Sequence, residues 1–335
     1  MNPDSRQQPN RRHFLGTASA VAGAIALPTY AQEAKYPNRT ITLVVPFPAG
    51  GSVDVAGRAI GERLSKVLGQ TVIIDNKGGA GGAIGSTFVA KAKPDGYTLV
   101  VTSQSSHVAN PAFTSNLPYD AIQDFAPITL IERLPNVLLI NPDLPVKNMA
   151  DFVAYAKKNP GKLNYASSGN GSMLQLNMEL LKSQYGIFLT HIPYRVAGTT
   201  LTDLMSGQVH AMFTNIQASN VGFVKQGRLR ALAVASPIRS ALLPDVPTFG
   251  ELKQPELNLT SWTGLAAPAG TPEPIIQQLY AAMRAILQDP ATIAAWKQRG
   301  SIVPEPVRPA EYRKEIVDRI AFYKKLIKAN NLAAE

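Results

Sequence analysis

From residue 40 to residue 235 the chain keeps changing period: short β-branched runs give way to helical patterns and return. Residues 40–45, 71–74, 97–102, 163–166, 188–192, 209–213 and 229–235 read as strands; 52–68, 82–92, 149–158, 173–185 and 199–206 read as helices. In the first helix Ile60, Leu64, Val67 and Leu68 share a face, and Gly69 closes it. Such alternation predicts an α/β fold with parallel sheets covered by helices on both faces. The tail, 272–332, reads as helical, with breaks at Asp289-Pro290 and around 304–309. At 335 residues the chain is long enough for more than one domain.

Two strand-to-helix corners stand out. The first runs through Phe47, Pro48, Ala49, Gly50, Gly51 and Ser52 into a helix. Paired glycines let a ligand approach the main chain, Ser52 suits an N-cap, and the free N–H groups of a helix start attract anions. Asp54 in the first turn is itself an anion, so it must point aside or satisfy the turn. The second corner repeats this construction in the other half of the chain: Ser167, Ser168, Gly169, Asn170, Gly171 and Ser172 lead into a helix. There Ser172 and Gln175 have the spacing of a capping box. Two such units predict two α/β lobes, each offering one helix start, as in receptors that close over a small anion by hinge motion.

Other chemistry is poorly supported. The glycine-rich run 77–85 follows a strand and opens a helix, but its spacing is wrong for a dinucleotide fingerprint and it lacks the Gly-Lys-Ser/Thr of a P-loop. No cofactor is expected. His107, His191 and His210 have no metal-ligand spacing, and each reads as a packed structural histidine. No Gly-x-Ser-x-Gly elbow occurs. A hydrolytic pairing of Ser105 or Ser106 with His191 would have to be assembled from distant segments. The chain has no cysteine, which removes disulfides and thiol chemistry together. The net charge of +10 favours anionic partners, but nucleic acid is not expected. The basic residues are scattered, and the densest group, 312–328, fits one solvated helix face.

Residues 1–31 read as an export signal: Arg11-Arg12-His13-Phe14-Leu15, an uncharged apolar stretch, then a small-residue exit at Ala31. The arginine pair favours the twin-arginine route over the general secretory one. The apolar stretch is shorter than the ~20 residues of a membrane span. A periplasmic protein, soluble after cleavage, is expected.

Several motifs occur in a characteristic order: PFPAGGSVDVAGR, DNKGGAGGAIGS, KPDGYTLV, YASSGNGS, HIPYR, LMSGQVHAMF, RLRALAVAS, LPDVPTF and SWTGLAAPAGTP. Together they resemble the Bug-type receptors, the extracytoplasmic solute receptors of tripartite tricarboxylate transporters, from about residue 36 to the C-terminus. The resemblance implies a type II periplasmic-binding-protein fold, two α/β lobes around a ligand cleft joined by a two-strand hinge. Lobe 1 would be 32–130 plus 256–335 and lobe 2 131–255, with crossings near 127–135 and 255–267. It implies a small organic carboxylate as ligand, held partly through ordered water, and two membrane subunits as partners; a monomer is expected. Carried over by motif, the first lobe would offer Phe47, Ala49, Gly50, Gly51 and Ser52, supported by Asp54, with Thr102, Ser103 and Gln104 lining the same side. The second lobe would offer residues 167–172, Gln175, Tyr194, Thr214 and Asn215.

Two positions depart from the family's habit. Gln175 stands where it usually has His, and Thr214 where it usually has Asp. Gln keeps hydrogen bonding without protonation, and Thr removes a negative charge beside the cleft, which favours an acidic or neutral ligand group there over an amine. Two other readings stay open from sequence: an exported Ser/His hydrolase using the same cleft, and a sensor whose loaded form engages a signalling partner.

Overall fold

Ile41–Val45, an unbroken apolar run, forms strand β1 and is buried almost throughout. The computed structural model describes residues 36–169, 172–194 and 197–329. The expected export signal, Asn170 and Gly171 lie outside the described residues.

β1 is followed by α1 (Ser52–Leu68), β2 (Val72–Asn76), α2 (Ala83–Ala90) and β3 (Thr98–Ser103). A π turn and the short α3 (Asn110–Phe113) lead into β4 (Phe125–Leu134) and β5 (Asn136–Ile140). Next come α4 (Met149–Lys158), β6 (Asn164–Ser167), α5 (Met173–Tyr185), β7 (Thr190–Pro193), α6 (Ala197–Met205), β8 (Ala211–Asn215), α7 (Ala218–Lys225) and β9 (Arg230–Ala235). β10 (Ser261–Pro268) and the helices α8 (Glu273–Gln288), α9 (Pro290–Gln298) and α10 (Pro309–Ala329) complete the order. The tail helices break where the prolines stand.

The strands form two five-stranded sheets, ordered β2-β1-β3-β10-β4 and β7-β6-β8-β5-β9. Each belongs to its own α/β lobe. The expectation of parallel sheets holds only for part of each. β1 pairs in parallel with β2 and β3, and β6 with β7 and β8. β10 runs antiparallel between β3 and β4, and β5 antiparallel between β8 and β9. The sheets are therefore mixed.

Of the strands in antiparallel pairs, β4, β5 and β10 are the ones that sequence pattern does not announce, whereas β9 lies on the residues expected. β4 carries Pro127 and Glu132, and β10 carries Gly264, all of which read as interruptions. Register shifts in the β10–β4 ladder absorb the irregularity. Gly264 is required because a Cβ there would run into the Tyr312 hydroxyl. Tyr312 is fully buried on α10, edge-on to Trp262 with ring centroids 5.5 Å apart, so α10 packs closely on this sheet. Arg133 and Glu315 add a two-pronged ion pair at 2.8 Å from β4 to α10.

The chain passes from the first sheet to the second across Pro135 alone, and returns through residues 236–260. Asn136 ties the two passages: its Nδ2 donates to Leu259 O at 2.8 Å, and its Oδ1 accepts from Asn215 Nδ2 at 2.7 Å. No helix among the described residues is long and apolar enough to cross a membrane.

Candidate functional site

The carboxyl ends of the parallel strands are where open α/β sheets bind ligands. β1 ends at the corner 46–52. Its loop is exposed at Pro48, Ala49, Gly50 and Gly51 and half-buried at Phe47 and Ser52. The helix has the bounds expected, but Gly51 is the N-cap where the sequence suggests Ser52, and no side chain caps the start. The first N–H groups of α1 therefore lack both intrahelical acceptors and a side-chain cap.

Asp54 does not compete for that position. It is 2% exposed and turned aside, accepting from Gly50 N at 2.8 Å, Arg58 Nε at 2.9 Å and Asn76 Nδ2 at 2.8 Å. Burial alone would raise its carboxyl. The hydrogen bonds from Arg58, Gly50 and Asn76, with the charge of Arg58, outweigh burial and hold it below the usual carboxylate range. Asn76 also donates to Phe47 O at 3.1 Å. The loop is thus fixed from beneath by Asp54 and Asn76.

The glycine-rich run 77–85 braces the same loop. A Cβ on Gly78 would lie 2.9 Å from Pro48 N, and one on Gly82 would lie 3.1 Å from the Phe47 ring. Gly82 also has φ +97°, a conformation costly for other residues. These glycines serve close packing against the corner.

Thr102 and Ser103 end β3 and Gln104 follows it, but all three are buried. Thr102 Oγ1 meets the Tyr312 hydroxyl at 2.6 Å, and Gln104 Nε2 donates to the Tyr323 hydroxyl at 3.1 Å. Ser103 Oγ meets Ser106 Oγ at 3.0 Å. Their side chains join the strand end to α10 and the following turn.

In the second lobe Ser167 is the last residue of β6, Ser168 is exposed, and Gly169 adopts φ +110°. Ser172 caps α5 by accepting from Gln175 N at 3.3 Å. The Gln175 side chain reaches His191: its Nε2 lies 3.3 Å from His191 Nδ1. His191 Nε2 lies 2.6 Å from Ser167 Oγ, and its ring stacks on Tyr165 with centroids 4.8 Å apart. His191 is half-buried and hydrogen-bonded at both nitrogens, where sequence suggested a ring simply packed inside.

Tyr194 follows β7. Its N–H donates to Ser167 O at 3.0 Å, and its hydroxyl donates to Asp203 Oδ2 at 2.6 Å. Burial first, and then the Asp203 carboxylate, push the phenol up to about 12. Thr214 and Asn215 end β8, both half-buried, opposite Val137 and Asn136 of β5. Asn76, Arg58, Asp203 and Asn136 are supports that sequence reasoning did not single out, and His191 is one that it read only as a packed ring. A polar residue closing an apolar strand, as in Asn76 and Asn215, is the one signal that could have found some of them.

The hydrolytic pairing is not formed. Ser106 Oγ meets the adjacent, buried His107 at 3.0 Å, and His191 meets Ser167. Ser167 is 1% exposed, and the second nitrogen of His191 faces an amide where a triad would place a carboxylate. No cluster of three metal-ligating side chains occurs among the described residues.

Two α/β lobes, each with parallel strands that end at a helix start, are the architecture of a periplasmic solute-binding receptor, and comparison with known proteins agrees. The family described as "Tripartite tricarboxylate transporter family receptor" (TctC) matches residues 56–332, and the chain belongs to it. It is 36% identical over 307 residues to Protein BugT of Bordetella pertussis (strain Tohama I), covering 91% of this chain and 93% of that one. Its fold is similar to that of R. palustris Rpa4515 with adipate: TM-score 0.82, 34% identity, covering 89% of this chain and 99% of that one. It is also similar to MatC (Rpa3494) from Rhodopseudomonas palustris with bound malate: TM-score 0.78, 35% identity, covering 87% and 100%.

Proposed function

We propose that this protein captures a small organic carboxylate, a dicarboxylate of the adipate or malate type, and delivers it to the two membrane subunits of a tripartite tricarboxylate transporter. The observation that carries this reading is the uncapped start of α1, with the first-turn carboxylate, Asp54, tied down beneath it. The receptors with adipate and with malate support the ligand class.

The corner Phe47, Ala49, Gly50, Gly51 and Ser52 is one jaw; Ser167–Ser172 with Gln175, Tyr194, Thr214 and Asn215 is the other. The first offers backbone N–H donors, and charge-assisted bonds of this kind are strong. Thr102, Ser103 and Gln104 shape the first jaw from behind. The two-lobe division, 32–130 with 256–335 and 131–255, pivots near Pro135 and the residues before β10. Residues 1–31 direct export, by the twin-arginine route, and the protein acts as a monomer without enzymatic turnover.

The test is a thermal-shift screen of the purified protein against dicarboxylates and their matched diamides. A ligand that binds only the native state raises the melting temperature. A diacid that raises it while its diamide does not supports the reading. No shift with any acid, together with no acid found by mass spectrometry of the denatured protein, would overturn it.

A further inference from the structure

Ser167 ends β6, Gln175 lies in the first turn of α5, and one residue from a different strand reaches both. We infer that His191 is the positioning residue of this jaw, with its two ring nitrogens fixing the last residue of β6 and the first turn of α5 in register. This rests on the proposed carboxylate-receptor function.

The orientation of the Gln175 amide sets the direction of these bonds. Gln175 Nε2 can only donate, so His191 Nδ1 accepts at 3.3 Å. His191 Nε2 then carries the ring proton and donates to Ser167 Oγ at 2.6 Å. Ser167 Oγ also accepts from Gly169 N at 3.1 Å, and its own proton goes to Gly169 O at 3.1 Å. With the Gln175 amide in this orientation, the network calls for a neutral imidazole protonated at Nε2.

The ring itself is held flat by Tyr165, whose plane is 19° from that of His191. The Tyr165 hydroxyl donates to Glu179 at 2.5 Å, and Glu179 pairs with Lys182 at 2.8 Å. Glu179 and Lys182 on α5 act on the ring in opposite senses. Burial is the largest influence and lowers its proton affinity, which favours the neutral form. Because Ser167 O also accepts from Tyr194 N at 3.0 Å, the same cluster sets where Tyr194 stands.

The variants are His191→Phe, which keeps the stack and removes both hydrogen bonds, and His191→Gln, which keeps a donor for Ser167. Side-chain 15N shifts of wild-type His191 at pH 7 should report the neutral ring protonated at Nε2. His191→Phe should weaken adipate or malate binding by about tenfold, the order expected for losing one or two buried hydrogen bonds. His191→Gln should fall between it and the wild type. A charged ring, the opposite tautomer, or unchanged affinity in His191→Phe would overturn the inference. If the wild type bound neither acid, the function reading would fail on its own. The inference would then be decided by 15N relaxation at Gly169 and Ser172: greater motion in His191→Phe supports it, and an unchanged loop overturns it.

Discussion

Asn76 Nδ2 donates to Asp54 Oδ1 at 2.8 Å while the same nitrogen donates to Phe47 O at 3.1 Å, so one amide fastens both the carboxylate and the loop that it supports. Replacing Asp54 with Ala leaves Gly50 N–H, Arg58 and Asn76 without their shared acceptor. Denaturant unfolding should register a loss of about 2 kcal/mol, typical of hydrogen bonds to a buried charged group. Ligand affinity should fall with it, because the loop loses its anchor. The pH dependence has a fixed sign. Folding lowers the carboxyl from its ordinary 3.8, so its contribution is full above that value and is lost as pH falls through the folded one.

Gly78→Ala should damage the first jaw more than the fold. The added Cβ would lie 2.9 Å from Pro48 N and 3.2 Å from Phe47 C, and backbone atoms cannot give way as a flexible side-chain tip can. A stability loss of about 1–3 kcal/mol is expected from overpacking, together with weaker ligand binding. Gly222→Ala is the control. It lies in α7 with nothing within 4 Å of its new Cβ, and should stabilise by about 0.5–1 kcal/mol with affinity unchanged.

His107 should make the protein acid-sensitive. The ring is fully buried, edge-on to Phe125 at 4.7 Å, with Nε2 unpartnered, and burial lowers its pKa from 6.5 to about 3. Between those values the unfolded chain takes up a proton that the folded protein refuses. Stability therefore falls as pH drops through this window, by about 1.4 kcal/mol per unit from this residue. In His107→Phe the slope of unfolding free energy against pH should be shallower from pH 6 to 4. An identical slope would assign the acid sensitivity to other groups.

Thr214→Asp should weaken a dicarboxylate. The position is half-buried at the end of β8, and a carboxylate there would stand beside an anionic ligand. A tenfold or larger rise in Kd, smaller for a ligand carrying an amine, is the expected titration result. Unchanged or tighter dianion binding would overturn this role for Thr214.

The parallel halves of the sheets were legible because β1 and β6 end apolar runs in glycine- or serine-rich corners followed by periodic helices. α1 and α5 lie on the residues expected. The antiparallel strands β4, β5 and β10 were not legible. Pro127, Glu132 and Gly264 look like linker residues until Tyr312 and the β10–β4 register shifts are known, and these are long-range facts. The corners at 46–52 and 167–172 could be found from their own composition. Their supports could not. Asn76, His191 and Asp203 reach the corners from other segments of the chain, and sequence spacing carries no trace of those meetings. Thr102 and Gln104 show the converse: they sit at a strand end, yet α10, more than 200 residues later, takes up their side chains.

Isothermal titration of the purified wild-type protein with adipate or malate and with the matched diamide tests the central claim most directly. Two or more charge-assisted bonds at the jaws should make the diacid bind at least ~100-fold more tightly than the diamide. Equal affinity for the two, or binding of the diamide alone, would contradict a site built for a carboxylate.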